Sequence, residues 1–181
     1  MSKLIIFIQG GGEGGYEADA RLVDSLRAAL GEMYEIRYPQ LLSDETRPDF
    51  GWPEQIGKEI SGTKGEVILT GHSLGASMLL KYLTEHEVTK EITGICLIAA
   101  PFWSGDEDWV QGLKLQEDFP DKLLKDVPVF FYHGRDDEEV PFAHLGLYRQ
   151  NLPRATVREI PSGGHQLNND LTIVAKDIKS L

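Results

Sequence analysis

Three short stretches of this sequence carry side chains that could do chemistry together. Residues 71–75, Gly-His-Ser-Leu-Gly, fit the pattern G-x-S-x-G. The apolar run EVIL stands before them and LGASMLLKYL after them, so the motif falls where a strand turns sharply into a helix. That turn lifts the hydroxyl of Ser73 above the sheet, while the positions two residues either side pass close to neighbouring backbone. Gly71 and Gly75 supply the missing bulk. A serine hydroxyl is a weak nucleophile near neutral pH and needs a base, which in turn needs an orienting acid. The stretch FFYHGRDDEEVPF ends an apolar run in a burst of carboxylates, and IPSGGHQLNND places His165 in a glycine-rich turn before the last amphipathic segment. Serine, then acid, then histidine is the chain order of this elbow type, and the chemistry it supports is acyl transfer.

Those residues need a scaffold that brings distant segments together. Apolar, β-rich runs recur at KLIIFIQ, YEIRYPQ, EVILTG, ITGICLIAA, VPVFFYHG and TVREIPS. Most are too uniformly apolar to have a wet face, which suits a parallel sheet covered on both sides. Helical segments alternate with them. EADARLVDSLRAALG sets Leu22, Leu26 and Leu30 on one stripe and stops at Gly31. WPEQIGKEI, LGASMLLKYLTEH, FAHLGLYRQNL and LTIVAKDIKSL complete the set. The alternation predicts an α/β fold, a three-layer αβα sandwich of about six parallel strands with right-handed crossovers. Parallel strands end together at their carboxyl side, so one sheet edge would hold Ser73, the acid and His165. All 181 residues read as a single domain, interrupted by residues 101–126, an insert long enough to act as a lid over that edge.

The loop after the first strand, FIQGGGEGGYEAD, poses a competing reading. Gly10, Gly12 and Gly15 fit G-x-G-x-x-G, a pattern that seats a pyrophosphate in dinucleotide-binding proteins. With 19 glycines in the chain, such spacing arises easily. Charge argues against it: Glu13, Glu17 and Asp19 crowd the loop, and Arg21 alone offsets them. The second strand also ends without the acidic residue that binds a ribose, although Arg37 could serve a 2′-phosphate. An oxyanion is the better guest for these backbone N–H groups.

Composition narrows the field further. The net charge of −11 disfavours nucleic acid, anionic membranes and polyanionic substrates. The one cysteine, Cys96, sits in an apolar run and excludes an internal disulfide, which fits a reducing, cytoplasmic setting. The N-terminal apolar stretch is too short for a secretion signal, and nothing reaches the length of a membrane span.

Together, GHSLG, HGRDDEEVP and GGH resemble the three catalytic segments of the α/β-hydrolase superfamily. The resemblance runs from Leu4 onward, and the short length is similar to the compact serine hydrolases that include the retinoblastoma-binding type. It implies a minimal fold without the usual leading antiparallel strands. On the family spacing H-G-x-x-D-x-x-V-P, the matching residues are His133, Gly134, Asp137, Val140 and Pro141, so Asp137 is the implied acid and Asp136 the runner-up. The resemblance also assigns the oxyanion-hole amides to Gly11 and Leu74. Where the family usually has histidine-glycine before this loop, the chain has Gln9-Gly10. His72 and His133 read as framework residues, while His86 and His144 are expected to face solvent on helices. Phe102, Trp103 and Trp109 are candidates to line an apolar pocket for a small acyl or alcohol group. No metal or organic cofactor is called for. The alternatives are a binding protein on a hydrolase scaffold and, from the glycine loop, a nicotinamide oxidoreductase.

Overall fold

A computed structural model describes residues 2–181. Six parallel strands, β1 (Lys3–Ile8), β2 (Tyr34–Arg37), β3 (Val67–His72), β4 (Ile92–Ile98), β5 (Val129–Gly134) and β6 (Thr156–Ile160), form one sheet in the order β2-β1-β3-β4-β5-β6. The helices are α1 (Gly15–Leu30), α2 (Trp52–Ser61), α3 (Leu74–Glu85), the short α4 (Asp108–Gln111) and α5 (Phe119–Lys122), then α6 (Ala143–Asn151) and α7 (Thr172–Ile178). The strand runs and the five longer helical segments expected from the sequence all form, with ends shifted by up to three residues.

Alternation along the strands divides the core into two layers. Ile5 and Phe7 of β1 face Leu22, Val23, Leu26 and Leu30 of α1, together with Val174 and Ile178 of α7. Ile6 and Ile8 face the opposite way, toward Ile56 and Ile60 of α2 and Leu79, Leu80 and Leu83 of α3. Each such side chain stabilises the fold by about 1.5–3 kcal/mol relative to exposure. Central β3 is buried along its whole length, whereas edge strands β2 and β6 are only partly covered. On β6, Arg158 pairs with Asp177 of α7 at 2.7 Å, and Glu159 pairs with Arg149 at 2.7 Å and with Arg135.

Strand register aligns the carboxyl ends. Ile8 lies beside Gly71, His72 beside Ile98, Ile98 beside Tyr132, and Gly134 beside Ile160. The loops leaving β1, β3, β4, β5 and β6 therefore open onto one rim. The insert at residues 101–126 leaves from this rim and is tied down. Trp103 Nε1 donates to Ser77 Oγ at 3.0 Å, and the largely buried Lys81 donates to the Lys114 carbonyl at 2.8 Å and pairs with Glu85 at 2.7 Å. Tyr148 donates its hydroxyl to the Pro101 carbonyl at 2.7 Å. His144 departs from expectation here: it is half-buried, and its Nδ1 accepts the Phe102 N–H at 2.9 Å. That bond gives the first residues of the insert a backbone anchor, which a solvent-facing histidine would not supply. His86 is exposed, as expected.

Candidate active site

The turn between β3 and α3 has the geometry that its sequence demands. Ser73 takes φ 53° and ψ −125°, a conformation L-residues rarely adopt, and its N–H donates to the Ile98 carbonyl at 2.8 Å. A Cβ on Gly71 would lie 2.8 Å from Ala76 Cα; one on Gly75 would lie 2.6 Å from the Ile8 carbonyl oxygen and clash with that of Gln9. Backbone occupies both places, so only glycine fits.

Asp137 and His165 come from the turns after β5 and β6 and meet at the rim. His165 Nδ1 lies 2.9 Å from Asp137 Oδ2 and 3.1 Å from Oδ1. The carboxylate also accepts the N–H groups of Glu139 and Val140, at 2.9 and 2.8 Å. His133 Nε2 is shared between the Val140 carbonyl at 2.9 Å and Asp137 Oδ2 at 3.3 Å. Burial works to raise the Asp137 pKa, but the hydrogen bonds from His133, His165 and the two amides outweigh it and hold the carboxyl far below the usual range. For His165, burial works to lower the pKa; the bond to Asp137 and the charges of Asp137, Glu139 and Asp19 outweigh that and raise it above the ordinary value. Asp136, the runner-up acid, has another task. It accepts the N–H groups of Gly163 and Gly164, at 3.1 and 2.9 Å, and so shapes the turn that presents His165.

His165 packs against the residue next to the serine: its ring centroid is 4.7 Å from that of His72, whose Nε2 lies 2.9 Å from the His165 carbonyl oxygen. Ser73 Oγ and His165 Nε2 do not form a hydrogen bond; Nε2 faces Glu139 Oε2 at 3.5 Å, and the Glu139 side chain is 67% exposed. Gly11 and Leu74 are brought together, since a Cβ on Gly11 would lie 2.6 Å from Leu74 Cδ2. Leu74 is the first residue of α3, where a helix leaves its N–H without an intrahelical acceptor. Gln9 is buried and accepts the Leu41 N–H at 2.8 Å, which links the glycine loop to the segment after β2.

Beside Leu74 lies a cavity of about 440 Å³, whose apolar walls are Tyr16, Leu41, Phe50 and Trp52. Phe102 and Trp103 line a different cavity, of about 360 Å³, together with Leu115 and Phe119 of the insert. Trp109 borders neither of the two: it packs edge-on against Trp103 at 5.6 Å and is 63% exposed. The aromatic wall beside Leu74 was readable in outline, because Tyr16 closes the glycine loop and the run Phe50-Gly51-Trp52 follows the β2 strand toward the same rim.

Comparison with known proteins bears on the fold and the family. No curated protein sequence matches the chain. Among solved structures, a thioesterase domain from the curacin biosynthetic pathway superimposes with a TM-score of 0.74 at 16% identity, covering 98% of this chain and 91% of that one. A hydrolase of the α/β superfamily from Xanthomonas campestris pv. campestris gives 0.70 at 19% identity, covering 99% of each chain. Est1E from Butyrivibrio proteoclasticus gives 0.72 at 18% identity, covering 99% of this chain and 86% of that one. At these identities the likeness establishes the fold. The profile of the serine hydrolase family matches residues 26–171, a span containing the elbow and both partner turns. With sheet, elbow and family profile in agreement, the chain belongs to the serine hydrolases and has the α/β-hydrolase fold.

Proposed function

We propose that the protein cleaves a small carboxylic ester, or a related acyl compound, through an acyl-serine intermediate, with Ser73, Asp137 and His165 as the catalytic residues. The observation that carries this reading is the Asp137–His165 pair, 2.9 Å across, set against the elbow residue His72. His165 Nε2 removes the Ser73 proton as Oγ attacks the substrate carbonyl, and Asp137 holds the proton on Nδ1 and stabilises the resulting imidazolium. The Gly11 and Leu74 N–H groups stabilise the oxyanion, each by about 3 kcal/mol at the transition state. The imidazolium then protonates the departing alcohol. Water, deprotonated by His165, attacks the acyl-serine and releases the acid.

Glu139 Oε2 lies 3.5 Å from Nε2, the nitrogen that must take the serine proton, and the exposed Glu139 side chain can swing aside when substrate enters. Catalytic contacts of this type tighten when substrate binds, so an open serine–histidine gap accords with the role. The cavity beside Leu74 receives one substrate group, while Phe102, Trp103 and Trp109 shape the insert side as a cover. The thioesterase and esterase likenesses support carbonyl chemistry of this class. A fluorophosphonate probe should label Ser73 in the native protein, and Ser73→Ala should lose both labelling and hydrolysis of short p-nitrophenyl esters. A native protein that neither labels nor turns over would instead be a binding protein on this scaffold.

A further inference from the structure

One buried ionisable pair takes no part in the steps above. Asp19 of α1 and His72 at the end of β3 are each 1% exposed, and Oδ2 lies 2.9 Å from Nδ1. The same Oδ2 accepts the Gly10 N–H at 2.6 Å, and Oδ1 accepts the side-chain amide of Gln166 at 3.1 Å. On the far side of the ring, His72 Nε2 lies 2.9 Å from the His165 carbonyl oxygen. The pair thus touches the glycine loop, the elbow and the turn carrying His165.

A carbonyl oxygen only accepts, and so does an ionised carboxylate. Both ring nitrogens of His72 face such acceptors, so the ring bridges Asp19 and the His165 main chain. Burial works against ionised Asp19, but the bond and charge of His72, with the Gly10 and Gln166 donors, outweigh it and lower its pKa.

We propose that Asp19 and His72 are positioning residues for the hydrolytic reaction: they hold the His165 main chain at the height of the serine and keep Gly10, and hence the neighbouring Gly11 amide, facing the oxyanion. The inference rests on the hydrolase reading above. It concerns main-chain placement, which the Asp137 contact does not control. The charged and titratable groups around His165 and its turn are Asp137 and Glu139, with Asp136 and Glu138 against Gly164, all from the turn after β5, together with Asp19 from α1 and the His72 ring from β3. Neutralising Asp19 removes a charge that favours protonated His165, so more acid is needed to protonate the base and the acid limb of the rate profile moves to lower pH.

The test compares His72→Asn, His72→Gln and Asp19→Asn on p-nitrophenyl butyrate across pH. Asparagine keeps a donor toward Asp19 alone, whereas glutamine reaches the His165 carbonyl. His72→Asn should lower kcat by about 10- to 100-fold with KM within about twofold, and His72→Gln should recover part of that loss. Asp19→Asn should lower kcat and shift the acid limb downward. A folded His72→Asn protein with the kcat and acid limb of the native enzyme would overturn the positioning role while leaving the hydrolase reading intact. Should the variants fail to fold, nitrogen-15 NMR of the native histidines decides: an N–H on Nε2 of His72 supports the role, and a bare Nε2 overturns it. A native protein without turnover and without fluorophosphonate labelling removes the hydrolase reading, and this role with it.

Discussion

Two carboxylate–imidazole pairs lie against each other in this molecule and are nearly alike at the contact. Asp137–His165 and Asp19–His72 each close at 2.9 Å, with all four side chains almost wholly buried. Each carboxylate also accepts backbone N–H groups: Glu139 and Val140 for Asp137, Gly10 for Asp19. They differ at the far nitrogen. His72 spends Nε2 on a main-chain carbonyl that cannot move away, while His165 Nε2 faces only the exposed Glu139 carboxylate, 3.5 Å off. On the proposed reading one imidazole is a base and the other a strut, and neither burial nor the acid partner separates them. The difference lies in whether the second nitrogen has a fixed partner.

The comparison can be broken most forcefully at the acid. Asp137→Asn should lower kcat by roughly 10⁴-fold, because a neutral amide no longer fixes the tautomer or stabilises the imidazolium. Asp19→Asn, at the matching place in the other pair, should lose about 10- to 100-fold in the same steady-state assay. Equal losses would erase the distinction between the pairs. Gly75→Ala asks whether the frame beneath both pairs is as rigid as it looks. With the Ile8 carbonyl in the way, it should destabilise the fold by about 3 kcal/mol or more, read by urea unfolding.

Acidity gives a finer cut. His165 must be neutral to act as base, and its pKa is raised, so kcat/KM should climb with pH through an apparent pKa above about 6.5. The stability contribution of this histidine runs the other way, being fully present below its unfolded value and lost as pH rises through the folded one. Asp19 and Asp137 have lowered pKa values, so the stability they contribute is present above about pH 4 and lost as pH falls toward their folded values. Acid-unfolding curves of Asp19→Asn should therefore be flatter than those of the native protein. The smallest effect belongs far from both pairs: Trp109→Ala, at a largely exposed side chain, should change stability by no more than about 0.5 kcal/mol in the same unfolding assay.

The sheet, its crossovers and the three chemical segments were legible because each is a local pattern. The β1 run, the stripe at Leu22, Leu26 and Leu30, and G-x-S-x-G all declare themselves within a dozen residues. The choice between Asp136 and Asp137 needed the family spacing, since both are carboxylates on one turn and only their partners separate them. The Asp19–His72 pair joins residues 53 positions apart, so no window could show it directly. One trace was there. Asp19 precedes Leu22 by three residues and falls on the buried face of α1, an odd place for a charge without a partner. The wall of Tyr16, Phe50 and Trp52 was legible only in outline, because its pieces lie around the starts of α1 and α2 and only the pairing of β1 beside β2 brings them near each other.

The charged fringe of β6 bears on how this protein behaves when crowded. An open ladder edge is a template on which another chain can add a strand, and a six-stranded open sheet has two of them. Here the β6 edge carries Arg158 and Glu159, bound to Asp177, Arg149 and Arg135, and the β2 edge is only four residues long. Charged side chains on one edge and a short ladder on the other are features that discourage the addition of a further strand.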